Sequence, residues 1–292
     1  MKTERRNAVI RQIKNGFKRN PLGLIGLIIL IVIILLGIFA PFIAPYSPTE
    51  FNVELRMSSP SSDHLFGTDV FGRDLFSRVL FGIRISLQAS ISILLFSSAI
   101  GVIAGAIAGY MGGIFDELVM RVVDIFFAFP PLILAMAINF ALGPSIKSAV
   151  FAVIITWWPG YARIVRSQVL SAKNRLYVHA ARSIGVSKMG ILFRHILPNC
   201  IRPTTVQMTL DTGAIILTLA GLSFIGLGAK PPTPELGLLV NEGRQFILTQ
   251  WWLATYPGLV ICCLVIGANL FGDFLRDFLD PKLRGTLEND IR

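Results

Sequence analysis

Residues 22–40 run for nineteen positions without a charge, and five further long apolar stretches follow. A membrane-spanning helix needs about 20 mostly apolar residues, so this spacing restricts the fold more than any other feature. The second stretch, within Ile85–Phe115, is uncharged throughout and holds a span to about Gly109. The third is Ile125–Ile146. The fourth, Ser148–Ala162, is short, but Lys147 and Arg163 flank it and can snorkel. The fifth, Pro203–Ala229, is interrupted by Asp211, and the sixth, Trp251–Gly272, opens on a Trp pair suited to the interface. The predicted fold is all-α, a polytopic membrane protein with six transmembrane helices. Only 15% of residues are charged, against about 25% in soluble domains. The first run exceeds the 7–15 apolar residues of a signal-peptide core and lacks a small-residue cleavage site, so it reads as an uncleaved span.

Six spans put both termini on one side. The segments assigned to that side carry 20 Lys and Arg, and the opposite side carries seven. The positive-inside rule then predicts cytoplasmic termini. The net charge of +10 becomes an orientation signal, leaving little to suggest nucleic acid. The expected organisation is a basic N-terminal segment 1–21, a first helix 22–40 and an extracytoplasmic segment 41–84. A five-helix core 85–272 with a cytoplasmic loop 163–202 and a tail 273–292 complete it. Val9, Ile10, Ile13 and Phe17 approach helical spacing in the basic segment, which suits a helix lying on anionic lipid.

Several chemistries are absent. The dipeptide Gly-Lys never occurs, so no P-loop can cradle ATP phosphates. The three histidines, His64, His179 and His195, fall outside the apolar runs, which argues against intramembrane Ser-His or HExxH chemistry. Cys200, Cys262 and Cys263 form neither a disulfide framework nor a zinc spacing and read as small buried apolar residues. Ion-coupled carriers usually place several ionisable groups in the membrane interior. Here Asp211 alone lies well inside a run, so energy for any transport must come from another chain.

The loop 163–202 has eight basic residues and no acidic ones. Within it Tyr177, Ala180, Ala181 and Ile184 recur at i, i+3, i+4, i+7, one face of a short helix that Gly185 is placed to end. Periodicity leaves two readings open, a helix docked in a partner's groove or one resting on lipid. The run Tyr177-Val-His-Ala-Ala-Arg-Ser-Ile-Gly185, followed by Leu197-Pro198, resembles the EAA signature of ATP-binding-cassette import permeases. The resemblance extends further. Residues 63–78, containing Gly67, Thr68, Asp69, Gly72, Arg73 and Asp74, are similar to the external block of the dipeptide/oligopeptide/nickel permeases, second-subunit type. Residues 222–228 with Pro231-Pro232, and residues 271–283, resemble two further blocks in the family's order.

The resemblance implies a type I importer permease fold in a bacterial or archaeal cytoplasmic membrane. It implies a second homologous permease, two cytoplasmic ATPases carrying ATP and Mg, and an extracytoplasmic substrate-binding protein as partners, with no cofactor on this chain. Peptides are the implied cargo, nickel the runner-up, and a membrane enzyme or assembly scaffold the alternative of another class. Tyr177, His179, Ala180, Ala181, Ile184, Gly185, Leu197 and Pro198 take the place of the ATPase-coupling segment. His179 stands where the signature has glutamate, so docking by shape at Ala180, Ala181 and Gly185 is expected rather than a glutamate ion pair. The external segment is expected to be an ordered cap that helps receive the binding protein.

Two features stay open on the residues alone. Gly101, Gly105 and Gly109 repeat every four residues, which serves either packing inside the chain or a sliding contact with the second permease. Asp211, with Gln207 and several threonines nearby, is either a structural polar contact at the permease interface or a lining residue of the pathway. The pairs Pro130-Pro131, Pro159-Gly160 and Pro257-Gly258 can kink or end helices.

Overall fold

The structure is a computed structural model that describes residues 20–279. The basic amphipathic stretch and the final part of the tail lie outside the described residues. Among the described residues five helices are long and apolar enough to cross a membrane, six if one bent pair counts as a span. The described residues form no β-strand beyond a single bridge between Thr68 and Asp74.

Helix α1 (Pro21–Ile38) starts where Asn20 accepts from the Gly23 amide at 3.1 Å and Pro21 occupies the first turn. Helix α2 (Leu75–Met111) begins ten residues before the uncharged run. Asp74 caps it through the Ser77 amide at 2.7 Å, and ion pairs neutralise Arg78 inside its first turns. At 37 residues it is about 55 Å long, so it extends beyond a hydrocarbon core of about 30 Å.

The third span is not the single helix expected over Ile125–Ile146. Helix α3 (Gly113–Phe127) and helix α4 (Pro131–Leu142) meet at 92°. Pro130 is extended, as a residue before proline prefers, and Pro131 has no amide to continue the ladder. Helix α5 (Ile146–Ala172) passes through Pro159 and runs ten residues beyond the expected end at Ala162. Arg163 and Arg166 fit within it because Asp124 and Asp116 of α3 pair with them. Helix α6 (Leu176–Ser183) is followed by one α-turn and a π-helical turn, Ile191–Ile196, that leads into α7 (Leu197–Phe224). Pro203 therefore lies inside α7 rather than at its start. Helix α8 (Leu236–Gly243) is short, and α9 (Trp252–Leu279) completes the described chain.

The centre of the bundle is the contact of α2 with α5. A Cβ on Gly101 would lie 2.5 Å from the Trp158 carbonyl, one on Gly105 would run into the Ala162 carbonyl, and one on Gly109 would lie 2.9 Å from the Arg166 carbonyl. The glycine stripe is thus occupied by α5 of the same chain. Helix α1 sits at the periphery, packed on α9 and α2. Gly26 lets it approach the α9 backbone at Phe271 and Gly267. Ile93, Ala149, Val153, Ile215 and Leu219 build the middle of the core. Of the cysteines expected to be buried, Cys200 is, whereas Cys262 and Cys263 lie on an exposed face of α9.

Candidate functional site

The bundle has two chemically different ends. At the basic end, α6 stops at Gly185, whose φ of +80° is left-handed and is accessible to glycine without strain. The Gly185 amide donates to the Arg182 carbonyl at 3.1 Å, and the Val186 amide to that of Ala181 at 3.2 Å. Val178 and Ala181 face inward, with Tyr177 partly covered. They pack on Val165 and Val169 of α5 and on Ile191, Leu192 and Ile196. The expected common face of Tyr177, Ala180, Ala181 and Ile184 is therefore split. Ala181 is 5% exposed, while Leu176 and Ile184 are 87% and 80% exposed and Ala180 is open.

The helical repeat explains this split. Residues 176, 180 and 184 follow i, i+4, i+8 and form an outward stripe, while 178 and 181 form the inward pair. Leu176 and Val178 were both legible from spacing and were not singled out. His179 is exposed on the outer side, Pro198 is exposed in the first turn of α7, and Leu197 is partly buried in the same cluster. Arg175, Arg182 and Lys188 are also exposed. The result is an apolar stripe framed by positive charge, held to the bundle from beneath. Burial pushes the Cys200 thiol above its ordinary value, with nearby Arg175 opposing.

At membrane depth, Asp211 on α7 is half-buried and accepts from Gln207 Nε2 at 2.8 Å. Tyr161 of α5 is 1% exposed, and its hydroxyl interacts with the Asp211 carboxylate. Among the described residues no Lys, Arg or His forms an ion pair with Asp211. A second polar feature escaped the reading of the sequence. Arg163 pairs with Asp124 at 2.7 Å and lies 4.3 Å from the Phe127 ring centroid, with both charged side chains open. Arg166 pairs with Asp116 next to it. Acids at 116 and 124 opposite bases at 163 and 166 were a visible signal, but only once α3 was known to be a helix lying against α5.

At the opposite, cap end, the Gly67–Asp74 block is a folded knot. Asp69 accepts from the amides of Phe71 at 2.8 Å and Arg73 at 3.0 Å, and from Arg73 Nε at 2.6 Å. Arg78 Nη1 lies 3.3 Å from Asp69, and its Nη2 lies 2.9 Å from Glu242 of α8, where Arg73 Nη2 approaches at 3.5 Å. All four groups lie within the fold, so external block, α2 and α8 are tied by two carboxylates and two guanidiniums. Burial pushes the Glu242 carboxyl above its ordinary value, against the pull of Arg78 and Arg73. Thr68 is fully buried and caps back on the Leu55 carbonyl. Gly67 and Gly72 have φ of +74° and +73°, and a Cβ on Gly72 would meet the Asn52 carbonyl. Asp74 also meets His64 Nδ1 at 2.9 Å. The sequence pointed to Asp69, Arg73 and Asp74 but not to Glu242, which lies 164 residues from Arg78.

Residues 101–285 match the family described as binding-protein-dependent transport system inner membrane component. Residues 10–60 match the N-terminal transmembrane domain of oligopeptide transport permease C. The chain is 44% identical to a dipeptide transport system permease protein of Haemophilus influenzae, over 92% of this chain and 93% of that one. It is 42% identical to a probable D,D-dipeptide transport system permease protein of Escherichia coli, over 92% and 90%. It is 43% identical to a glutathione transport system permease protein of Escherichia coli, over 92% and 89%.

Proposed function

Since this chain belongs to the family of binding-protein-dependent transport system inner membrane components, a multi-pass transport subunit without a catalytic site, we propose that it forms half of a translocation pathway for peptides. The observation that carries this reading is the identity of 42–44% to permeases named for dipeptides and glutathione, across nine-tenths of the chain. The other half is a homologous permease. Two ATPases on the basic end supply energy through their own ATP and Mg, and a binding protein delivers cargo to the cap end. The 20-to-7 asymmetry of basic residues supports placing the basic end and both termini in the cytoplasm.

The outward stripe of Leu176, Ala180 and Ile184 supports α6 as the ATPase-docking element. Large apolar side chains this exposed next to positive charge are a poor surface unless a partner covers them. The test is reconstitution of the chain with a second permease, two ATPases and a binding protein in sealed vesicles. ATP-dependent dipeptide uptake is expected, with no ATP hydrolysis by this chain alone. A complex that assembles and hydrolyses ATP but moves no peptide would refute the cargo. Externally added thiol reagent in whole cells should label a cysteine placed at Ser61 and not one at Ser187; labelling at Ser187 would reverse the orientation.

A further inference from the structure

Helix α3 carries exposed charges and an exposed apolar stripe along the same 15 residues, a combination that is costly for a helix crossing hydrocarbon. Its direction follows from its partners on α5. Helices α4 and α5 form a hairpin closed by Gly143–Ser145, with Ala135 packed among Ala149, Ala152 and Val153, so α4 runs along the bundle. Counted from Ile146 at about 1.5 Å per residue, Arg163 lies about 26 Å and Arg166 about 30 Å down α5. That is the inner edge of a hydrocarbon core about 30 Å thick. Both arginines pair with α3, Arg166 with Asp116, and Arg163 with Asp124 at 2.7 Å. The two acids are eight residues apart in α3 and the two arginines three apart in α5. These separations are about 12 Å and about 4.5 Å along the respective axes. Helix α3 thus travels sideways more than it rises, in agreement with its 92° angle to α4. Turns fix both of its ends: Gly112 and Gly113 have φ of +68° and +57°, and Pro130 is extended.

The circumference of α3 has three sides. Asp116 and the buried Val123 face the bundle. Glu117 and Arg121 pair at 3.0 Å on a second side, both open. Ile114, Leu118, Val122 and Ile125 form the third and are 44–69% exposed. Helix contacts within membranes favour small or polar residues, as Gly101, Gly105 and Gly109 supply between α2 and α5. The third side of α3 has neither, and in composition it matches the exposed Ile28, Ile31, Val32 and Leu35 of the peripheral α1. A helix with one charged and one apolar side lies in the membrane interface. We propose that α3 lies in the plane of the inner leaflet, with Ile114, Leu118, Val122 and Ile125 seated on lipid acyl chains and Glu117 and Arg121 at headgroup level. Its charges are paired, so acyl chains rather than anionic headgroups hold it. The third crossing is then made by α4, 12 residues or about 18 Å, together with the non-helical residues at its two ends. The choice of leaflet rests on the cytoplasmic placement of the basic end; the in-plane lie does not.

The experiment places one nitroxide at a time on the assembled transporter in lipid nanodiscs, in a background carrying Cys200→Ala, Cys262→Ala and Cys263→Ala. Labels go on Ile114→Cys, Leu118→Cys, Val122→Cys and Ile125→Cys, and on Glu117→Cys and Arg121→Cys. Collision with oxygen, which concentrates in hydrocarbon, and with a water-soluble nickel chelate reports the depth of each label. The four stripe labels should be open to oxygen and lie within about 5 Å of one another in depth, whereas a spanning helix would separate positions 114 and 125 by about 16 Å. The labels at 117 and 121 should meet the chelate. A depth graded along the helix would overturn the proposal. Stripe labels shielded from oxygen would overturn it too, since the second permease would then cover that face, and so would stripe labels open mainly to the chelate. As a check free of labels, Leu118→Trp should assemble with its partners and support uptake within about twofold of wild type, because tryptophan suits the interface. Loss of complex recovery with Leu118→Trp would mark a packed protein contact instead. Thiol labelling at Ser187 from outside the cell would move α3 to the outer leaflet and leave the equal depths unchanged, so failure of the orientation and failure of the in-plane lie are separate results.

Discussion

The cap end and the basic end hold themselves together by opposite means. At the cap end, charges are inside: Arg73 and Arg78 are at most 1% exposed, and Asp69 and Glu242 close a network across three segments. At the basic end, charges are outside, and α6 is held by two small apolar side chains, Val178 and Ala181, on a cluster beneath. A buried ionic network has demanding geometry, since each charge removed leaves its partners desolvated. An apolar hold through one face tolerates small rotations and keeps the other face free. The cap is thus built to keep one shape, while α6 keeps its outer face open above an apolar cluster shared with α5 and the start of α7.

The largest expected effect breaks the cap. Arg78→Ala leaves Asp69 and Glu242 short of a counter-charge, and breaking a buried pair in this way costs about 3–5 kcal/mol. Residues 44–74 should become sensitive to protease in the purified complex, and the melting temperature should fall. The matched charge deletion at the basic end, Arg182→Ala, removes an exposed side chain with no ion pair among the described residues. It should change stability by less than about 0.5 kcal/mol. Equal effects of the two deletions would erase the contrast between the ends.

Next come two tryptophans on the two faces of α6. Ala181→Trp inserts a large ring where the side chain is 5% exposed, and overpacking costs about 1–3 kcal/mol. It should destabilise the isolated permease before any partner is present. Ala180→Trp stands on the outward stripe and should leave that stability unchanged. It should still weaken recovery of the ATPases by about tenfold. Thermal unfolding of the permease alone, beside co-purification of the complex, separates the two faces. Lowered ATPase recovery with Ala181→Trp and none with Ala180→Trp would turn the docking face around.

What the sequence made legible follows from how far each signal reaches. The spans were visible because hydrocarbon demands uninterrupted apolar length, and this is a local property. The limits of α2 and α5 were not, because Arg84 and Arg163 look like boundaries, and that the helices continue past them to Arg78 and Arg166 shows only once Glu242, Asp124 and Asp116 are seen to neutralise Arg78, Arg163 and Arg166. The bend at residues 128–130 was announced by Pro130-Pro131, yet a continuous apolar run outweighed it. In α6 the periodicity was read correctly as helical, but spacing alone does not say which face meets the chain's own core. That depended on the cluster of Ile191, Leu192 and Ile196, which a π-helical turn brings under Val178.

The smallest expected effect concerns His179, where the resemblance puts a glutamate in related permeases. His179 is exposed, and among the described residues its ring makes no hydrogen bond or ion pair. Only its backbone is engaged, the carbonyl accepting from Ser183 Oγ at 3.1 Å. An exposed group of this kind contributes at most about 0.5–1 kcal/mol to an ion pair it could make across an interface. His179→Ala should therefore reduce ATPase recovery by less than about fivefold and leave permease unfolding unchanged. His179→Glu is the sharper variant, because the acid would stand four residues from Arg175 and three from Arg182, where opposite charges on a helix attract by about 0.2–0.5 kcal/mol. It should stabilise α6 slightly while drawing those arginines away from the outward face. Recovery of the complex should then change little at moderate salt if docking is by the Leu176, Ala180 and Ile184 stripe. A loss of tenfold or more with His179→Ala would show that this end, like the cap, depends on one charged or polar contact, and the distinction between the two ends would reduce to burial alone.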